Sequence, residues 1–168
     1  IVWKGNPDHK FDYKRSIRID ELSDIISVSG IDIYCLQLNC DENERKFIRG
    51  KGIKELISPG ISLIETAAII QNLDIIVTVD TLIAHLAGAL NKKTILLLPY
   101  APDYRWLNET ERSELYPSIR IIRQTSPGKW NSAIVRLTDN LLRDAECGEK
   151  FNEDANSVDL TRLKADAF

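Results

Sequence analysis

The residues of this sequence best suited to chemistry are Asp80, Thr81 and His85, which follow an apolar and β-branched run over residues 75–79. Thr81 and His85 are four residues apart, so in a helix their side chains share one face of the first turn. A helix N-terminus attracts an anion with about 0.3–1 kcal/mol. Each charged hydrogen bond to a phosphate would add roughly 1.5–3 kcal/mol. This spacing therefore suits the binding of a phosphate group.

The same residues also have a purely structural interpretation. Asp80 stands where the N-cap of a helix is expected, with Thr81 as the first helical residue, and His85 would be a half-buried histidine without a ligand. Asp80 would repel a phosphate unless it capped the helix or contacted a hydroxyl group. The pattern alone leaves both interpretations open. Gly88 weakens a helix by about 1 kcal/mol relative to alanine, and we expect it to serve close helix packing.

Arg15 ends a polar loop over residues 5–16 that follows a predicted first strand. Loops after parallel strands meet at one edge of a sheet, so Arg15 is expected at the same edge as Thr81. A planar guanidinium there suits a phosphate and could stabilise a leaving diphosphate. The alternative is a solvated loop arginine. Lys10 and Lys14 are expected to be surface charges.

Further residues in predicted loops or at strand ends are candidates for contacting a base or a sugar: Asn6, His9, Gln37, Tyr100 and Asp103. Each has an ordinary alternative. Asn6 with Pro7 suits a turn, and a polar residue such as Gln37 commonly ends a strand without a function. Asp103 suits an ion pair with Arg105 that holds the shape of its loop, while Tyr100 and Trp106 offer rings for stacking.

Six predicted strands alternate with helices along the chain. The strands are expected over residues 1–4, 31–38, 53–58, 75–79, 93–98 and 119–124, and the helices over 20–29, 41–49, 62–72, 81–90 and 129–143. This alternation predicts an α/β fold with a Rossmann-like parallel sheet flanked by helices. We expect one domain over residues 1–145. Residues 146–168 form an acidic and polar tail, either disordered or carrying a short docking helix.

Composition excludes several classes of protein. The 168 residues are 43% hydrophobic and 28% charged with a net charge of −3, which is typical of a globular domain and gives no basic surface for nucleic acid. No run is long enough for a membrane span, and no secretory signal is expected. Three cysteines without CxxC spacing and two histidines argue against a metal site and favour a reducing, cytoplasmic compartment. P-loop, GxGxxG and GxSxG motifs are absent from the sequence.

Two separated stretches resemble one family of enzymes. VDTLIAHLAGAL, followed by KKTILLLPYAPDYRWL, and the opening VWKGNPDHKFDYKRSI are similar to the C-terminal half of the heptosyltransferase-like glycosyltransferases, glycosyltransferase family nine. The variant often fused to tetratricopeptide repeats is the most similar. The resemblance implies that Asp80, Thr81 and His85 open the helix that holds the donor diphosphate, and that Arg15 contacts the donor phosphates. Leu82 stands where relatives more often carry a small residue, and its side chain would narrow that site.

The resemblance implies the nucleotide-sugar-binding domain of a two-domain, GT-B type glycosyltransferase. Such an enzyme moves a sugar from a nucleoside diphosphate to an acceptor hydroxyl, and no metal or other cofactor is expected. The general base and acceptor site would lie on an N-terminal domain, and a tetratricopeptide-repeat region is a further expected partner. This chain alone should bind donor weakly without turnover. The alternatives are a non-catalytic interaction module that keeps the fold and, without a supporting motif, a nucleotide-sugar epimerase.

Overall fold

The strands of this protein form two parallel sheets. The structure, a computed structural model, describes residues 1–107 and 110–147. The first sheet pairs β1 (Tyr34–Cys35) with β2 (Lys54–Glu55). The second has the order β3–β4–β5, comprising Ile76–Val79, Thr94–Leu98 and Ile119–Arg123.

The first two residues of the chain connect the two sheets. The Val2 N–H donates to the Val77 carbonyl at 2.9 Å, and Val2 forms a parallel bridge with Thr78. On the other side, the Leu36 N–H donates to the Ile1 carbonyl at 3.0 Å. Across the molecule the order is therefore β2, β1, residues 1–2, β3, β4 and β5. From residues 1–2 the chain first adds β1 and β2 on one side and then β3, β4 and β5 on the other, so the direction in which strands are added reverses between residues 1–2 and β3. Open α/β sheets bind ligands at the carboxyl ends of the strands beside such a reversal.

Helices cover both faces of these sheets. Their bounds are α1 Asp12–Arg15, α2 Ser23–Ile26, α3 Glu42–Gly50, α4 Leu63–Asn72, α5 Leu82–Ala89 and α6 Asn131–Cys147, with 3-10 turns at Ile19–Leu22 and Tyr104–Trp106. Capping boxes begin α3 and α4, where Asp41 pairs with Glu44 and Ser62 with Glu65. None of the described helices is both long and apolar enough to span a bilayer.

The apolar core forms two layers around β3 and β4, whose residues are all buried. One layer packs α2 and α6 against Val77, Val79 and Leu97. One apolar face of α6 is buried there and consists of Ile134, Leu137 and Leu141, together with Trp130 just before the helix. The other layer packs α4 and α5 against the opposite faces of these strands through clusters that include Ile70 and Ala84. The predicted parallel α/β architecture is confirmed at this level.

Several predicted elements are shorter in the structure. The strands predicted over 31–38 and 53–58 each form only two ladder residues. Beyond Leu36, the Gln37 side chain accepts from the Trp3 and Lys4 N–H groups in place of a backbone partner. The helix predicted over 20–29 divides into a 3-10 turn and α2, and the Ser23 and Ser27 hydroxyls donate to backbone carbonyls in this stretch.

The second half follows the prediction more closely. Strands β3, β4 and β5 begin or end within one residue of the predicted bounds. All residues of β3 and β4 are buried, and a strand buried on both faces has a nearly continuous apolar sequence, whereas β5 includes the exposed Arg120. Helix α6 begins at Asn131 and continues to Cys147, beyond the predicted end at residue 143. Residues 148–168, which make up most of the predicted tail, lie outside the described residues.

Candidate functional site

The turn from β3 into α5 lies at the carboxyl edge of the sheet. Thr81 is the N-cap, with φ −140° and ψ 175°, and the helix begins at Leu82. The prediction that Asp80 caps the helix and that Thr81 is its first residue is therefore wrong by one position. Unlike α3 and α4, this helix receives no capping hydrogen bond at its N-terminus from any side chain that the structure describes. Its first N–H groups therefore remain available to an external acceptor.

Arg15 lies directly against this turn. Its Nη1 donates to the Asp80 carbonyl at 2.8 Å, across 65 residues of sequence, and its Nε pairs with Asp12 Oδ1 at 2.9 Å. Its Nη2 donates no hydrogen bond within the described part of the chain. The predicted placement of Arg15 and Thr81 at one edge of the sheet thus agrees with the structure, and one guanidinium nitrogen is free to bind a ligand.

The loop before Arg15 is built to hold its guanidinium in place. Asp12 Oδ2 accepts from the Ser16 hydroxyl at 2.7 Å, and that hydroxyl accepts from the Gly5 N–H at 3.0 Å. A Cβ at Gly5 would lie 2.6 Å from Arg15 Nη2, so the close approach of this backbone requires glycine. The loop therefore fixes the cation before any ligand arrives.

Asp80 places a carboxylate beside these donors. The residue is 7% exposed, and its carboxylate accepts no hydrogen bond from the residues that the structure describes. Its negative charge partly opposes the lowering of the His85 pKa by burial, and it adds to the raised pKa of Arg105, which comes mainly from the hydrogen bond to Asp103. An unpartnered carboxylate at this position can accept a hydrogen bond from a hydroxyl group and would oppose an anion placed directly on it.

His85 lies one turn into α5 between two aromatic rings. Its imidazole stacks on Trp106 with centroids 5.1 Å apart, and its Nδ1 lies 3.3 Å from the Tyr116 hydroxyl. Burial, reinforced by the charge of Arg105, lowers the pKa of His85 below its usual value, against the opposite effects of Asp80 and Asp103. His85 is therefore mainly neutral at pH 7 and carries a single ring proton.

Leu82 and Gln37, two further candidate residues, differ in their exposure to solvent. Leu82 is 65% exposed at the first position of α5, so most of its side chain faces solvent. Gln37 is buried, and its Oε1 accepts from the Trp3 and Lys4 N–H groups at 3.2 and 3.0 Å. Only its amide nitrogen remains for a base or a ribose.

The other candidate residues are loop residues in this structure. Asn6 and His9 are exposed, and each accepts a hydrogen bond from a backbone N–H two residues later. Tyr100 is exposed after β4. Asp103 pairs with Arg105 at 2.8 Å and accepts from the Arg105 N–H, which agrees with the structural alternative for this loop. The structure therefore brings together Arg15, Asp80, Thr81 and His85 but leaves these residues in the surrounding loops.

Sequence reasoning missed Tyr116 as a neighbour of His85. It is 31 residues away along the chain, in the segment before β5, and its spacing carries no periodic signal. The one indirect signal was Gly88, which was predicted to serve close helix packing: a Cβ there would overlap the Tyr116 ring, so its close neighbour is a side chain of the segment before β5 and not another helix.

A separate cavity lies away from this cluster. A cavity of about 540 Å³ lies at the opposite, amino edge of β4 and β5, between Lys93, Arg112 and Asp144, and no residue of the candidate site lines it. Within residues 1–107 and 110–147, no group of three or more histidine, cysteine or acidic side chains is placed to hold a metal ion.

Comparison with known proteins identifies the family. The chain matches the family model of glycosyltransferase family 9 (heptosyltransferase) over residues 17–112. No curated protein and no solved structure matches the chain. The matched region includes β1 to β4 and the turn from Asp80 to His85, whereas Arg15 lies just before it. Because this match spans more than half of the chain, the protein belongs to glycosyltransferase family 9.

Proposed function

We propose that this chain is the nucleotide-sugar-binding domain of a glycosyltransferase that transfers a sugar from a nucleoside diphosphate to an acceptor hydroxyl. The observation that carries the proposal is the hydrogen bond from Arg15 to the Asp80 carbonyl, beside the N-terminus of α5 that no side chain caps. Family membership gives the class of reaction, sugar transfer, and these donors give a place for the diphosphate.

The strand order supports a Rossmann-like domain of the kind found as the C-terminal half of GT-B enzymes. Numbered along the chain from residues 1–2, the six parallel segments have the order 3-2-1-4-5-6, which is the doubly wound order. Arg15 and Thr81 follow the two central segments of that order. The proposed diphosphate site thus coincides with the place where such sheets bind nucleotides.

Each group near the turn would have a defined task in sugar transfer. Arg15 Nη2 and the first N–H groups of α5 would bind the diphosphate and stabilise the negative charge that develops as the sugar leaves. A neutral His85 would donate a hydrogen bond to a phosphate oxygen, and the Thr81 hydroxyl would do so by turning its single proton away from Thr78 Oγ1, which lies 3.1 Å away. Asp80 would accept from a hydroxyl of the ribose or the sugar. In this proposal no metal ion or other cofactor is needed to neutralise the leaving group.

The general base and the acceptor site would come from another part of the protein, an N-terminal domain or a tetratricopeptide-repeat region. Exposed large apolar side chains at the carboxyl edge support such a partner, and they include Phe11, Tyr13, Leu63, Ile64, Leu82, Tyr100 and Tyr104. All follow the carboxyl end of a parallel segment. Exposed apolar side chains concentrated in one region mark a surface for another domain. The free thiols of Cys35 and Cys40 fit a reducing, cytoplasmic location.

A calorimetric titration of the folded chain with UDP-, GDP- and ADP-sugars tests this proposal. We expect binding at millimolar ligand or tighter, weakened at least about tenfold by Arg15→Ala because each charged hydrogen bond to phosphate is worth roughly 1.5–3 kcal/mol. His85→Ala should weaken binding less, since it removes a neutral donor.

The matched control for Arg15 is Arg18→Ala, which removes an exposed arginine whose guanidinium pairs with Asp20. Its affinity should equal that of the wild type. Absence of any response at millimolar ligand, or equal affinity in the wild type and in both site variants, would exclude the proposed site. Circular dichroism of each variant would establish that it is folded.

A further inference from the structure

Tyr116 connects the candidate site to the middle of α5. Its hydroxyl lies 3.3 Å from His85 Nδ1, and its ring meets the imidazole edge to face, with centroids 5.8 Å apart and an angle of 69°. The same ring lies against Gly88, three residues further along the helix, where any Cβ would overlap it. The contact with His85 therefore depends on a glycine one turn away.

The backbone around Tyr116 is fixed on both sides of the residue. Its N–H donates to the Ser113 hydroxyl at 3.2 Å, and its carbonyl accepts from the Ile119 N–H at 2.9 Å. Trp106 stacks against His85 at an angle of 26°. The imidazole is therefore held between an indole face and a phenol, both placed by the segment between β4 and β5.

The donors and acceptors of the His85 imidazole and the Tyr116 hydroxyl limit how these two groups can share a hydrogen bond. A neutral imidazole has one N–H and one acceptor nitrogen, whereas a phenol hydroxyl can donate or accept. Among the described residues His85 Nε2 has no hydrogen-bond partner, while Nδ1 has the Tyr116 hydroxyl. The charged groups around the imidazole are Arg105, Asp80 and Asp103, and burial keeps the pKa of His85 low.

We propose that Tyr116 is a positioning residue for His85, whose Nδ1 accepts from the Tyr116 hydroxyl, so that the single ring proton is kept on Nε2. The inference rests on the proposed function, because the Nε2–H then serves as a donor to the diphosphate. Phosphate oxygens only accept hydrogen bonds, so the opposite tautomer would present a lone pair to them. Tyr116 thus selects the tautomer that binds an anion without requiring a charged histidine.

Nitrogen NMR of the histidine rings tests this inference without a ligand. The chain has two histidines, and the exposed His9 provides an internal reference in the same sample. In the wild type at pH 7.5 we expect His85 as a single neutral tautomer with the proton on Nε2. Tyr116→Phe removes only the hydroxyl and should give a mixture of the two tautomers. Tyr104→Phe, at a residue 85% exposed, is the matched control and should leave His85 unchanged.

A titration with UDP, GDP and ADP then tests the consequence for binding. Tyr116→Phe should weaken the affinity for whichever nucleotide binds by roughly three- to tenfold, because it removes one supporting hydrogen bond. A wild-type proton on Nδ1, or a tautomer that is the same in Tyr116→Phe, would overturn the positioning role. If the tautomer responds but no nucleotide binds to the wild type, the proposed function fails and the link between Tyr116 and His85 stands.

Discussion

Gly88 is a single residue on which the packing of the candidate site depends. Replacing a glycine in a helix by alanine ordinarily stabilises it by up to about 1 kcal/mol. Here the added methyl group would overlap the Tyr116 ring. We expect Gly88→Ala to lower the free energy of unfolding by roughly 1–3 kcal/mol, because the helix or the ring must move.

Denaturant titration of the purified chain measures this change. Gly50→Ala is the matched control, since Gly50 also lies in a helix and has no atom within 4 Å of the position of its Cβ. That variant should be as stable as the wild type or slightly more so. If Gly88→Ala is stabilised to the same degree as Gly50→Ala, the close contact with Tyr116 does not exist in solution.

The sequence could predict those site residues whose position follows from periodicity or from strand ends. The four-residue spacing predicts that Thr81 and His85 lie together at the start of α5, although Thr81 is the N-cap and not a helical residue, and Arg15 follows a parallel segment whose carboxyl end lies at the same edge. The contact of Tyr116 with His85 and the lowering of the His85 pKa by Arg105 could not be predicted from the sequence. Both depend on how the irregular segment between β4 and β5 folds over α5. The N-cap was misplaced by one residue because aspartate is a common cap, yet here the backbone carbonyl of Asp80, not its side chain, makes the important contact.

At the scale of elements, Arg123 at the end of β5 holds the segment that carries Trp106. Its Nη2 donates to the Trp106 and Leu107 carbonyls at 2.7 and 2.6 Å, and its Nη1 donates to the Thr110 carbonyl. Burial lowers the pKa of its guanidinium, but the group stays charged at neutral pH. One side chain thus shapes an irregular connection in which Leu107 has a left-handed φ of 47°.

We expect Arg123→Ala to lower the free energy of unfolding by roughly 1–3 kcal/mol, because it leaves these carbonyls without their donor. It should also shift the ring signals of His85, which stacks on Trp106. Arg120→Ala is the matched control on the same strand, where the exposed arginine donates to Asn140. That variant should change stability by no more than about 0.5 kcal/mol and leave His85 unshifted. Equal effects of the two substitutions would contradict the role of Arg123.

The bounds of a strand could be predicted where backbone groups alone form its hydrogen bonds, as in β4, but not where a side chain replaces a backbone acceptor, as next to β1. The residues of β4 are all buried beneath helices on both faces, so the sequence there is continuously apolar and its bounds can be predicted. The apolar residues around β1 predict a longer strand. Its backbone pairing with the first residues of the chain ends at Leu36, because the Trp3 and Lys4 N–H groups donate to the Gln37 side chain and not to a backbone carbonyl. Such a replacement of backbone by side chain has no signature in hydrophobic periodicity.

At the scale of the whole molecule, the two sheets differ in the extent of their ladders. Four or five residue pairs join each pair of neighbours among β3, β4 and β5, whereas β1 and β2 are joined by two. Residues 1–2 connect the sheets and lead into the loop of Arg15. Arg15 is bound to the turn after β3, so the proposed diphosphate site belongs to the more extensively paired half.

Native-state hydrogen exchange should therefore distinguish the two halves. The amides of Leu36 and Val79 form a matched pair, because both residues are at most 1% exposed and each donates to a carbonyl of residues 1–2. We expect Val79 to exchange only by global unfolding, and Leu36 to show at least about tenfold lower protection, through an opening that detaches β1 and β2. The denaturant dependence of exchange should also be smaller for Leu36, since less surface is exposed in that opening. Equal protection and equal denaturant dependence of the Leu36 and Val79 amides would mean that the molecule unfolds as one unit. The regions around Gln37 and Arg15 would then have the same stability against local opening.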